Sequence, residues 1–455
     1  MSRRLSPPDG SPSRGKRHGA GTARPGRLTR ALPGYRGTLA ELYSSRANSF
    51  GLLRLLLASS VVLSHMYPIA WGRLDPLWLH SGMQTDIGKM AVVGFFVLSG
   101  FMITGSGARS TSGRYAWHRA LRILPGLWGS LLLSALVITP YLYHWLTGNW
   151  SGFWSHPQGP WYYLKGTWNT SISTGWDISG VMGEGRKRGT NFDPGVNGAL
   201  WSLKYEILCY VVVGLMAAGG VLQRARKFVP LLALALGGLI LRDWVNAPTL
   251  RGIPGDLGSA VQVPFLGAMS VHFIIHLVFV FMIGATFQLY RERLPIHDGL
   301  ALVCALVLGG TLWGGGLFFF GYPAFAYLLL WLAVRLPRPF QRFGRKRDFS
   351  YGIYIYGFTV EQSLALLGYA KYGKVEFLAL AMAGTVVLAA LSWYLVESPM
   401  MRLKNWTPWP VRKLAERRQR NRPVEPVEHA AAAPAAAAPA EAGEPQAVRP
   451  PTVSA

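Results

Sequence analysis

Arg54 and His65 stand eleven positions apart in an otherwise apolar stretch, Phe50-Gly-Leu-Leu-Arg54-Leu-Leu-Leu-Ala-Ser-Ser-Val-Val-Leu-Ser-His65-Met-Tyr-Pro68. An ionisable side chain at the centre of a membrane helix costs roughly 2.5–3.5 kcal/mol on insertion scales, so it normally faces a site or a partner. Eleven residues at about 100° each make about three turns, which puts both side chains on one helix face, roughly 16 Å apart along the axis. The pair supplies a guanidinium suited to phosphate at one end and an imidazole suited to general base chemistry at the other. Such a layout fits a site that runs across a bilayer.

The elements that must position this pair follow from composition. Half of the 455 residues are hydrophobic, 17 are Trp, and only 15% are charged. With several apolar runs of about 20 residues, this is the make-up of an all-α, polytopic membrane protein. Ten spans are expected, at about 50–71, 88–106, 123–146, 199–219, 228–246, 269–290, 298–315, 317–335, 349–370 and 375–397. Gly314-Gly-Gly316 is the only turn signal between the seventh and eighth.

The net charge of +25 would suit nucleic acid, but its distribution argues against that partner. Basic residues collect in both tails and in alternate connections: Arg109/Arg114/Arg119/Arg122, Arg224/Arg226/Lys227, Arg291/Arg293, and Arg335/Arg338/Arg342/Arg345/Lys346/Arg347. Positive-inside topology then puts these connections and both termini in the cytoplasm, with Arg186-Lys-Arg188 in the third connection as the exception. Residues 1–49 and 406–455 are expected to be tails without a core, the second basic from Arg412 to Arg422 and then Ala/Pro-rich. No secretory signal peptide is visible. The connection over 148–198 carries Trp150, Trp154, Trp161, Tyr162, Tyr163, Trp168 and Trp176, aromatic surfaces that suit either the membrane interface or a sugar. Cys209 and Cys304 both fall in apolar runs and read as small hydrophobes. His272 and His276 have the helical spacing of metal ligands but no third ligand, so no metal site is expected.

Further motifs accompany the Arg54–His65 spacing in order along the chain. They are Phe95-Phe-Val-Leu-Ser99-Gly100-Phe101-Met-Ile103, Arg119-Ala-Leu-Arg122-Ile-Leu-Pro125, Leu200-Trp201-Ser202-Leu203-Lys-Tyr-Glu206-Ile-Leu-Cys-Tyr210, Ser350-Tyr-Gly352-Ile-Tyr-Ile-Tyr356 and Val396-Glu397-Ser-Pro399. Taken together they resemble the membrane acyltransferase 3 family across about 50–405, the expected transmembrane domain. Two positions depart from the family pattern: Val93 stands where an acidic residue is common, and Gly357 where His is common, so neither does acid–base work here. The family also includes chains with a fused extracytoplasmic esterase-like domain, and none is expected here.

The resemblance implies transfer of an acyl group, commonly acetyl, from cytoplasmic acyl-CoA to a hydroxyl of a cell-envelope polysaccharide or glycolipid, in the bacterial cytoplasmic membrane. Acyl-CoA enters as a donor substrate rather than a resident cofactor. On the expected topology Arg54, Arg119 and Arg122 share the cytoplasmic side and suit CoA phosphates. His65 and Glu206 fall at similar depth towards the outer side, with His65 as general base and Glu206 orienting the imidazole. Ser99 would hydrogen-bond the thioester oxygen or line its path; no base beside it in sequence supports an acyl-serine. Plainer roles exist for each: snorkelling for Arg54, helix packing for His65 and for Ser99-Gly100, orienting charge for Arg119 and Arg122, and pairing with Lys204 or Arg54 for Glu206. Glu397 reads as structural. The rival function is a transporter or flippase of a lipid-linked sugar, which internal repeats would favour; none is evident.

Overall fold

In the computed structural model, residues 33–44, 47–171, 177–182, 195–247, 249, 251, 259–344 and 347–406 are described. Trp176, Arg186–Arg188, Arg345, Lys346 and the run from Arg412 to Arg422 lie outside them. Helices occupy all ten expected places. They are α1 (Phe50–Trp71), α2 (Ile87–Gly107), α3 (Ser112–Leu133), α4 (Leu203–Ala218), α5 (Phe228–Val245), α6 (Val271–Leu289), α7 (Asp298–Gly314), α8 (Tyr322–Arg335), α9 (Ser350–Leu366) and α10 (Lys374–Ser392). Among the described residues eight helices are long and apolar enough to cross a membrane, several of them extended by 3₁₀ or π turns. The other two, α7 and α9, have 17 residues each. Gly315 and Gly316 make the turn between α7 and the π turn that leads into α8, both at positive φ, which glycine adopts without strain.

α2 is the axis of the bundle: 78% of its apolar window is buried, the largest share of any span. It packs most extensively on α6 and then on α1, while α9 lies against α1 and α10. Its contact with α6 depends on reciprocal glycines. A methyl at Gly100 would strike the Phe281 carbonyl, and one at Gly284 would strike the Val97 carbonyl. Small residues allow this backbone approach, and dispersion rather than water exclusion drives it in lipid. Gly100 therefore has the packing role its motif suggested, and the crossing fixes the direction in which the adjacent Ser99 projects. Gly357 has a similar explanation, since a Cβ there would meet Val62 Cγ2 of α1 at 2.7 Å.

Part of the expected N-terminal tail is folded, which corrects that boundary. β1 (Tyr35–Thr38) pairs antiparallel with Pro295–His297, and Leu39, which follows, is fully buried. Thr38 and Glu41 close a capping box over the short helix Leu39–Leu42. Contacts with a distant part of the chain order this segment: the strand pairing, amide bonds from Leu39 and Ala40 to the Leu294 and Arg291 carbonyls, and the Arg36–Asp298 ion pair at 2.7 Å. The connection after α3 holds a helix, Pro160–Thr167, with Tyr163 buried and Trp150, Trp154, Trp161 and Trp168 exposed. Cys209 and Cys304 are both free thiols.

Candidate active site

α1, α3 and the connection entering α9 bring three charges together. Arg54 Nη2 lies 3.1 Å from Asp348 Oδ2, and Arg122 Nη2 lies 2.6 Å from the same oxygen. Arg122 Nη1 also faces Glu397 Oε2 at 3.7 Å, while Ser392 Oγ donates to the other Glu397 oxygen at 3.1 Å. Ser350, which opens the ninth-span motif, donates from Oγ to Asp348 Oδ1 at 2.6 Å. Asp348 joins these charges at the candidate site, and the sequence reading missed it. Its only signal was a single acid placed at the end of a basic run.

Burial would raise the Asp348 pKa, but the Arg54 and Arg122 guanidiniums and the bonds from Ser350 outweigh it and hold the carboxyl at about 2. A depressed carboxyl pKa stabilises the fold fully above the ordinary value of 3.8, and that contribution disappears as pH falls towards about 2. The stability difference between the parent protein and Asp348→Asn should therefore be constant from neutral pH down to about 4 and shrink only below it. Thermal melts in detergent across this range would test it; a difference already shrinking above pH 5 would contradict the paired carboxylate.

Arg54, Arg122 and Asp348 line a cavity of about 410 Å³ together with Arg119, Ser99 and Glu206. Within it Ser99 Oγ donates to Glu206 Oε1 at 3.1 Å, and Tyr210, one turn along α4, donates its hydroxyl to the same oxygen at 2.5 Å. The Arg119 guanidinium lies 5.8 Å from the Tyr210 ring centroid. The Nε atoms of Arg54 and Arg119 are buried without a hydrogen-bond partner. Each guanidinium carries five N–H donors in a fixed fork, so these arginines keep donors for an anion even while Asp348 is engaged.

His65 is elsewhere. It lines a second cavity of about 310 Å³ with Ser64, Asp75, Asp86, Lys89, Trp201 and Phe273. Its ring meets Phe358 edge-on at 5.0 Å, and its Nδ1 is buried with no hydrogen-bond partner. The wall of this cavity is stiff because Asp75 accepts from Ser64 Oγ at 2.5 Å and from the Ile87 amide at 2.8 Å. Asp86 caps α2 through the Lys89 amide and pairs with Lys89 Nζ at 3.0 Å.

The expected Glu206–imidazole contact is therefore not made. Glu206 belongs to the arginine-lined cavity, held there by an i,i+4 tyrosine and by Ser99 across the α2–α4 packing, and the carboxylates that share a cavity with His65 are Asp75 and Asp86. Neither Lys204, which donates to the Ala268 carbonyl, nor Arg54 pairs with Glu206. Asp75 and Asp86 cap the helix Pro76–His80 and α2 respectively, and no sequence motif singled either of them out. The His272 and His276 rings lie 3.9 Å apart and tilted by 35°, and the His276 ring nitrogen bonds the His272 carbonyl, as helix-packing side chains do. Among the described residues, no group of three or more His, Cys, Asp or Glu is gathered as a metal site would need.

The model of a family described as an acyltransferase domain matches residues 48–397. Nodulation protein 10 of Rhizobium leguminosarum bv. viciae is 28% identical over 409 residues, an alignment covering 81% of this chain and 97% of that protein. An O-acetyl transferase of Shigella phage Sf6 is 26% identical over 363 residues, covering 77% of this chain and 95% of its own length. No solved structure matches significantly.

Proposed function

The chain belongs to the acyltransferase family whose domain it carries over residues 48–397, and we propose that it moves an acyl group, acetyl in the first instance, from cytoplasmic acyl-CoA to a hydroxyl of an envelope polysaccharide or glycolipid. One observation carries this reading: the arginine-lined cavity with Ser99 and Glu206 adjoins the cavity that holds His65, the two sharing Val92 and Tyr354 as wall. The phage relative, named for O-acetyl transfer, supports acetyl as the group. Ten spans with both termini in the cytoplasm of a bacterial inner membrane give the arrangement its sidedness. The basic connections then put the Arg54 cavity inside and the His65 cavity outside. Reporter fusions at the helix connections would test that topology.

In this reading the donor's phosphates bind Arg54, Arg119 and Arg122, and its thioester points towards Ser99. The acceptor hydroxyl enters the His65 cavity. As its oxygen bonds to the acyl carbon, His65 takes the hydroxyl proton, the carbon–sulfur bond breaks, and the departing CoA thiolate receives the proton. Burial without a partner leaves the His65 ring nitrogen available for that step. Glu206 and Tyr210 act through Ser99, holding its hydroxyl beside the path of the acyl group.

The decisive experiment uses purified protein in vesicles, labelled acetyl-CoA and de-O-acetylated glycan from the producing cells. Label in base-labile ester linkage to glycan supports the reading; no ester and no CoA binding removes it. Arg54→Ala should weaken CoA binding by about tenfold to a hundredfold, the range for losing a charge-assisted bond of roughly 1.5–3 kcal/mol. Binding isotherms with an unchanged midpoint would exclude Arg54 from the donor site.

A further inference from the structure

Among the described residues the two cavities share two side chains, one on each of two helices. Val92, Phe95, Phe96, Ser99 and Ile103 form one helical stripe of α2 along the inner cavity, and Val92 ends it on the side of the His65 cavity. Lys89, about one turn further on, already lines the outer cavity and not the inner one. On α9, Ser350, Tyr351 and Tyr354 line the inner cavity, and of these only Tyr354 reaches the outer one. Both partition residues are nearly closed to solvent, Val92 at 5% and Tyr354 at 7% exposure.

The two halves of this partition differ in freedom. The Tyr354 hydroxyl donates to the Ala199 carbonyl at 2.6 Å and contacts Ser202 Oγ at 2.7 Å, while its ring meets Phe95 edge-on at 5.9 Å. Those contacts hold the tyrosine in one place. Val92 is an apolar side chain with no polar group to tether it. Ser99 lies about 10 Å along α2 from Val92, so a thioester near Ser99 is separated from a hydroxyl near His65 by this partition.

We infer that Val92 and Tyr354 form the aperture through which the acyl group reaches the acceptor, and that the Val92 side chain sets the acyl length the protein accepts. The inference rests on the acyl-CoA reading above. Short acyl groups such as acetyl pass beside valine, whereas each added methylene must be accommodated between the Val92 methyls and the fixed Tyr354 ring. A methylene in a shaped apolar site changes discrimination by about tenfold or more.

The test compares acetyl-CoA and butyryl-CoA as donors to de-O-acetylated glycan, using protein in vesicles. Val92→Ala should raise the butyryl-to-acetyl transfer ratio about tenfold. Val92→Phe should lower acetyl transfer about a hundredfold, as misplacement of reacting groups by an ångström does, while free CoA, held at the arginine end, binds as in the parent. Val92→Leu, closer in volume, should shift the ratio the opposite way from Val92→Ala and covers the case in which the phenylalanine variant does not fold. An unchanged ratio in the Ala and Leu variants, with the parent active, overturns the aperture and leaves the acyltransferase reading intact. A parent protein that neither binds CoA nor esterifies glycan removes both.

Discussion

Replacing His65 with Gln should lower acyl transfer by about 10²- to 10⁴-fold, the range by which a positioned general base accelerates proton transfer. Gln keeps much of the volume that meets Phe358 but cannot accept the proton at neutral pH. His65→Ala should be as inactive and somewhat less stable, because it also removes the ring from a buried packing contact. CoA affinity should change little in either variant, since His65 lines the cavity that lacks Arg54, Arg119 and Arg122. Transfer rates and CoA isotherms on the same vesicle preparation separate these effects. Acetylation of glycan at the parental rate by His65→Gln would remove the imidazole from the chemistry. Loss of CoA binding would instead mean that the two cavities work as one.

The second large effect belongs to Arg122. Its guanidinium faces Asp348 at 2.6 Å and Glu397 at 3.7 Å, and both carboxylates are mostly shielded from solvent. Removing one partner of a buried ion pair leaves an uncompensated charge and costs about 3–5 kcal/mol. Arg122→Ala should therefore show a marked fall in Tm along with weakened CoA binding. Adding Glu397→Gln removes the carboxylate left without a cation, since Asp348 keeps Arg54, and should recover a large part of the stability but not the proposed phosphate contact. Stability and donor affinity thus separate in the double variant. An Arg122→Ala protein as stable as the parent would show that the ion pairs do not support the fold, and normal CoA binding by the double variant would exclude Arg122 from the donor site.

The places where structure departed from the sequence reading share one cause. Helical periodicity and topology put Glu206 and His65 at comparable depth, but depth does not specify which neighbouring helix a side chain faces. Tyr210 and Ser99 take Glu206 Oε1, and the second of these contacts exists only because α2, α4 and α6 pack as they do. Asp348 was hidden for a related reason: a lone acid after Arg345-Lys-Arg347 looks like part of a solvated loop until Arg54 and Arg122 arrive from two other helices. Tyr210 was visible in the Trp-Ser-Leu segment, but nothing within that segment distinguishes a carboxylate's hydrogen-bond donor from a packing tyrosine.

Hydropathy and charge were sufficient to locate the helices and to single out Arg54 and His65, because the cost of an ionisable group in lipid is a property of the segment that carries it; the motifs that resemble the family added Ser99, Arg119, Arg122 and Glu206. The spaced motifs were sufficient for the family, which the match over residues 48–397 shows. Only the packed structure divides these residues between two cavities, pairs Arg54 and Arg122 through Asp348, and leaves Val92 and Tyr354 as the wall between. Those relations depend on how closely helices cross, as at Gly100 and Gly284, and a helix crossing is a contact between distant parts of the chain that no local pattern encodes.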